Sequence, residues 1–182
     1  MTPRDDRAGA SIVRPSIVRL ANDSDRPALV ALEAASFAHD RITPRSWRRL
    51  LARPSALILV AGNTPGSAAS HRPHANIPDQ GIAGALVLLF RRGSRVARVY
   101  SLAVAAADRG RGIARMLLDQ AASAATARNC RTVRLETRLD NTAAQSLFHR
   151  EGFAVTGRTD AYYEDGMAAL RLERPLPLAH SR

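Results

Sequence analysis

The chain contains no lysine: all 27 of its Lys-or-Arg positions are arginine, against 16 Asp and Glu, leaving a formal net charge of +11. Such a surplus invites a nucleic-acid reading. An all-arginine repertoire in an alanine-rich chain looks more like a coding bias than selection for a phosphate-binding face. The arginines are scattered, with doublets at Arg48-Arg49 and Arg91-Arg92 but no run of five. Aromatic residues make up only 4% of the chain, which leaves little material for base stacking, so no specific nucleic-acid partner is expected. A single cysteine, Cys130, excludes an internal disulfide and a cysteine-based zinc cluster, and reads as a small buried residue. His71 and His74 share a polar segment with no obvious further ligands, so no metal is expected. No apolar run approaches the roughly 20 residues of a membrane span. Residues 1–16 are charged and polar, without the apolar stretch of a secretory signal. These absences point to a cytoplasmic protein with no membrane partner.

What is present is an ordinary globular repertoire, 182 residues of which 46% are apolar, enough for one domain. The expected layout is a disordered tail over 1–15, a domain over 16–176 and a short tail over 177–182. Residues 17–20 form a first strand. Asn22, Asp23 and Ser24 offer helix caps before Pro27. Leu29, Leu32 and Ala35 mark the buried side of that helix, and Phe37 closes its end. A second helix starts at Thr43 and Pro44 and carries Trp47, Leu50 and Leu51, with Trp47 read as core. Strands follow at 56–61 and at 82–90, the latter nearly all apolar and therefore central. Between them, residues 62–80 read as a long polar loop. A turn at Arg92-Gly93-Ser94 returns the chain antiparallel as a strand over 96–104. A helix over 112–128 carries Ile113, Leu117, Ala121 and Ala124 on one face. Next come an alternating strand at 132–138, a helix over 141–151 stopped by Gly152, and strands at 153–157 and 168–172. The order is that of an α/β fold with a mixed sheet and helices on both faces.

The most informative stretch is Val99-Tyr100-Ser101-Leu102-Ala103-Val104, then Arg109-Gly110-Arg111-Gly112-Ile113-Ala114-Arg115. A strand, glycine loop and helix start of this kind suits anion capture. Glycine lets backbone approach a phosphate, free amides point at it, and arginines add charge-assisted hydrogen bonds. It is neither the dinucleotide fingerprint nor a P-loop, because the third glycine and the Gly-Lys-Ser/Thr are missing.

Arg109-x-x-Gly112-x-Ala114 resembles the pyrophosphate motif of the GNAT superfamily of N-acetyltransferases. Leu135-Glu136-Thr137, and Asn141-x-x-Ala144-x-x-Leu147-Phe148-x-x-x-Gly152-Phe153, are similar to that family's second half. Tyr162-Tyr163-Glu164-Asp165-Gly166 points to the branch acting on ribosomal-protein and other protein N-termini. The resemblance implies a GNAT fold with a central twisted mixed sheet of six to seven strands. It implies acetyl-CoA as cosubstrate, no metal, and a primary amine as acceptor, of a peptide or protein N-terminus before a lysine or small amine. The backbone of Leu102, Ala103 and Val104 would pair with the pantetheine arm, one amide polarising the thioester. The amides of Gly110, Arg111, Gly112, Ile113, Ala114 and Arg115, with Arg109 beside them, would cradle the pyrophosphate. Asn141 and Phe148 would flank the cofactor near its reactive end.

Direct transfer in a ternary complex needs a neutral amine. An α-amine, with a pKa near ~8, gives up its proton at neutral pH more readily than a lysine near ~10.4. Glu136 is the candidate base, on the strand after the cofactor helix. It alternates with Arg134 and Arg138 on one strand face, and neutralising them is its alternative role. Phe148 stands where the family commonly has a tyrosine that protonates the leaving thiolate. Three readings follow: unassisted departure, a proton from Tyr162 or Tyr163, or an acetyl-CoA-binding module without catalysis. The two tyrosines equally suit an acceptor groove. Asp160, Glu164 and Asp165 form either an acidic lure for a cationic amine or a solvated loop. Asp40 and Arg41 lie where the family recognises acceptors.

Overall fold

The nearly continuous apolar run at 82–90 needs cover on both of its faces, and the computed structural model supplies it. The structure describes residues 17–38, 40–62 and 81–177. Nearly all of both expected tails, and of the polar loop carrying His71 and His74, lie outside the described residues. The run forms β3 (Ile82–Leu89) near the middle of a seven-stranded sheet. The other strands are β1 (Ile17–Leu20), β2 (Ala56–Gly62), β4 (Val96–Val104), β5 (Thr132–Arg138), β6 (Ala154–Thr159) and β7 (Ala169–Pro175), in spatial order β1-β2-β3-β4-β5-β7-β6. All neighbours run antiparallel except β4 and β5, which are parallel and joined by the crossover helix α3 (Ile113–Ala127).

Alternate side chains of β3 go to opposite layers. Leu86 and Leu88 pack with Leu117, Leu118 and Ala121 of α3 and with Phe148 of α4 (Thr142–Arg150). Ala85 and Val87 pack with Leu29 of α1 (Arg26–Ser36) and with Trp47 and Leu50 of α2 (Pro44–Leu51). Burying each large aliphatic side chain contributes roughly 1.5–3 kcal/mol. A Cβ on Gly84 would lie 2.8 Å from Ile113 Cγ2, so the glycine is what lets α3 press its first turn onto β3.

The structure corrects two helix faces. Ala35 is exposed and Glu33 is buried in its place. Glu33 lies one helical turn beyond Leu29, whereas Ala35 falls roughly 120° round from it. On α3 the ladder Ile113, Leu117, Ala121 and Ala125 is buried, and Ala124 sits half-buried at its edge. Strand ends shift by one to three residues, β7 reaching Pro175 through its pairing with Thr132. Thr43 caps α2 through the Ser46 amide, while Asn22 caps a single 3-10 turn over Asp23–Asp25 that leads into α1. Cys130 is buried, and burial pushes its thiol pKa up.

Candidate active site

Two strands part to make the site. β4 pairs with β5 only from Val96↔Thr132 to Val99↔Leu135. Next comes a bulge: Val87 faces Ser101 and Leu88 faces Val99, leaving Tyr100 as the extra residue of β4. Beyond it, β4 stays with β3 while β5 stays with β7. The opening between them is a groove of about 420 Å³. Leu102 lines it, and the edge of Leu102, Ala103 and Val104 away from β3 has no strand partner among the described residues.

β4 leads to the glycine loop. Gly110 and Gly112 have φ of +76° and +77°, a region that side chains with a Cβ rarely adopt, and nothing would lie within 4 Å of a Cβ at either. Gly112 is the cap residue of α3 and supplies no side-chain acceptor; the first helical bond runs from Met116 N–H to Gly112 O at 3.0 Å. The amides of Ile113, Ala114 and Arg115 thus start a 15-residue helix without internal partners, a donor set suited to phosphate oxygens. Arg109 folds back, its Nε donating to Val104 O at 3.3 Å. Arg111 pairs with Asp108, and Arg115 lies 3.8 Å from Asp119.

On the β5 wall, Glu136 Oε2 accepts from Arg98 Nε at 2.7 Å, and a second nitrogen of Arg98 donates to the Tyr162 hydroxyl at 2.9 Å. Glu136 therefore does not neutralise its strand neighbours. Arg134 pairs with Glu173 and Arg138 with Asp140 and Asp165. The acidic trio is also divided: Asp165 serves Arg138 and Asp160 serves Arg158, which leaves no free acidic cluster of three. Tyr162 and Tyr163 stand edge to face at 5.0 Å and line the groove. Burial, foremost, pushes the Tyr163 pKa to about 12. Asn141 caps α4, its Oδ1 accepting from Ala144 N–H at 3.1 Å, and lines the groove with the buried Phe148. Asp40 joins the lining, while Trp47 is core. Among the described residues, no group of three His, Cys, Asp or Glu side chains is placed to hold a metal ion.

The structure also shows residues that motif reading missed. Glu33 of α1 reaches the groove from the opposite wall, only 4% exposed. Its Oε1 accepts from Ile42 N–H at 3.0 Å and its Oε2 from the Ser101 hydroxyl at 3.3 Å. Burial pushes its pKa up, against the pull of those two hydrogen bonds. A carboxylate on the apolar face of an amphipathic helix, one turn from Leu29, was the available signal.

The model of the acetyltransferase (GNAT) family matches residues 34–153, about two thirds of the chain, from the last turn of α1 through the loop to just beyond α4. The chain belongs to the GNAT superfamily of N-acetyltransferases. Within this family, the N-alpha-acetyltransferase MAK3 of Arabidopsis thaliana is 41% identical over 69 residues. That match spans 38% of this chain and 36% of the relative, so the chain is matched to about a third of that protein's length. The GNAT fold is shared with the ribosomal-protein-S18-alanine N-acetyltransferase of Escherichia coli, with a TM-score of 0.72 at 19% identity over 92% of this chain and 98% of that one. It is shared equally with the NatC complex bound to Gag peptide and CoA, with a TM-score of 0.71 at 22% identity over 89% and 99%. In this GNAT the matched region holds the glycine loop, the bulge and Glu136, while Glu33 lies one residue before it.

Proposed function

We propose that this protein is an acetyl-CoA-dependent N-acetyltransferase that moves the acetyl group directly to the α-amine of a peptide or protein N-terminus, in a ternary complex. The observation that carries the reading is the continuity of parts along β4. A groove with carboxylates on two walls opens at the bulge, an unpartnered strand edge follows, and an uncapped helix start lies at the far end. That sequence of features suits a long molecule with a thioester at one end and a pyrophosphate at the other.

In this reading the amides of Ile113, Ala114 and Arg115 hold the pyrophosphate, with Arg109, Gly110, Arg111 and Gly112 shaping the loop round it. The β4 edge at Leu102, Ala103 and Val104 fixes the arm, and a backbone N–H there polarises the thioester carbonyl. Asn141 and Phe148 wall the reactive end. The acceptor nitrogen attacks the carbonyl carbon, and the C–S bond then breaks with its electron pair on sulfur. Glu136, held by Arg98, accepts a hydrogen bond from the amine and so aims its lone pair. Tyr162 and Tyr163 act as groove walls. The Tyr162 hydroxyl is held at 2.9 Å by Arg98, beside Glu136, and a Tyr163 pKa of about 12 makes that residue a poor acid toward a thiolate whose conjugate acid lies near ~8.5. In this reading the thiolate, a good leaving group near pKa ~8.5, leaves unassisted, which accommodates phenylalanine at 148.

The direct test is calorimetric binding of acetyl-CoA, followed by thiol release against peptides with free N-termini, lysine peptides with blocked N-termini, and small amines. Thiol release with free N-termini supports the reading. Tight binding with no release on any amine points to a binding module, and release on small amines alone reassigns the acceptor.

A further inference from the structure

We propose that the acceptor's proton leaves through Ser101 of β4 to Glu33 of α1, making this pair the catalytic base, across the groove from Glu136. The inference rests on the acetyl-transfer reading and names the residues that complete it.

Three observations converge. First, the Glu33 carboxylate is almost wholly buried yet lines the groove, and no arginine or histidine lies within salt-bridge distance of it among the described residues. Holding a carboxylate there without a cation is costly. The bond to Ile42 N–H, which ties α1 to the start of α2, needs only a carbonyl oxygen, and glutamine would supply one without that cost. Second, the Oε2 atom is turned to a hydroxyl, Ser101, which itself faces the groove one residue beyond the bulge and next to Leu102. Third, the opposite carboxylate is already compensated, since Glu136 Oε2 takes the Nε–H of Arg98. The charged and titratable groups facing this space are Asp40 from the α1–α2 connection, Arg98 from β4, Glu136 and Arg138 from β5, and Tyr162 and Tyr163 from the turn before β7. Arg98 and Arg138 lie with the β5 wall, bonded to Glu136, Asp140 and Asp165.

The step balances. As the N–C bond forms, one amine proton passes to Ser101 Oγ while the Ser101 hydroxyl proton passes to Glu33 Oε2. The departing thiolate takes its proton from water, and Glu33 returns its own to water once product leaves. A carboxyl whose affinity for protons is raised by burial suits this task near neutral pH.

The test compares the full chain with Glu33→Gln, Ser101→Ala and Glu136→Gln, using acetyl-CoA and a free-N-terminus peptide. It measures kcat against pH, acetyl-CoA affinity and melting temperature. Glu33→Gln is expected to lower kcat about 100-fold, within the usual range for general-base catalysis. It should also remove the acid limb of the pH profile, while acetyl-CoA affinity holds and the melting temperature does not fall. Ser101→Ala should give a smaller loss with the limb retained, water replacing the hydroxyl. Glu136→Gln should keep the limb. A Glu33→Gln enzyme with near wild-type kcat, or one whose loss follows a lowered melting temperature, overturns the proton route alone. Wild type that forms no acetylated amine overturns the acetyl-transfer reading, and the route with it.

Discussion

The two walls of the groove present the same functional group in opposite settings. On the β5 wall, Glu136 is half-buried and bound to Arg98 at 2.7 Å, within a layer where Arg134 and Arg138 have their own acidic partners. On the α1 wall, Glu33 is buried and meets a backbone N–H and a hydroxyl. A carboxylate that is charge-compensated suits holding and aiming an amine, whereas one that is desolvated and uncompensated suits receiving a proton. The difference teaches that environment, rather than motif position, divides the labour between two glutamates.

The sharpest way to break this comparison is to neutralise the two walls in turn. Glu33→Gln is expected to cost about 100-fold in kcat with acceptor KM little changed, read by steady-state kinetics. Glu136→Gln removes a charge-assisted contact to the acceptor, and the expected outcome is an acceptor KM raised roughly tenfold with kcat less affected. Equal losses in kcat from both would erase the distinction. A control lies outside both walls. Gly112→Val forces a branched side chain into φ of +77°, a strain of about 1–3 kcal/mol, so acetyl-CoA affinity should fall about tenfold by calorimetry with turnover at saturation spared.

A stability measurement sharpens the contrast further. Burial raises the Glu33 pKa, so whatever stability its protonated form contributes is fully present below the ordinary glutamate pKa and is lost as pH rises through the raised value. Glu33→Gln should therefore melt close to wild type in acid and above it at neutral pH. A purely structural role predicts a lower melting temperature throughout. The smallest effect is expected at Phe148. With a leaving thiol near ~8.5, Phe148→Tyr should change kcat by less than about threefold, and a larger gain would show that thiolate departure limits the rate.

Much of the fold was legible because it rests on periodicity. The alternation of β5, the unbroken apolar run of β3, the face of α2 and the first three turns of the α3 face each follow from what must be covered. The glycine loop was legible because positive φ and close backbone approach restrict it to few residue types. The groove's wiring was not legible. Arg98 meets Glu136 only because β4 and β5 lie parallel and then part, a relation 38 residues apart in sequence. The bulge at Tyr100 leaves no local signature. Glu33 is hidden differently: Leu29, Leu32 and Ala35 fill an apolar face of α1 on paper, and a charged residue does not read as part of it, although the helical period puts Glu33 one turn from Leu29.

The central claim is transfer of an acetyl group to an N-terminal α-amine, and mass spectrometry tests it most directly. Purified protein, acetyl-CoA and a peptide carrying both a free N-terminus and an internal lysine would be incubated and the product fragmented. The account predicts one acetyl group on the N-terminal residue, formed with matching thiol release. Acetyl only on the lysine, or none while acetyl-CoA remains bound, would contradict it.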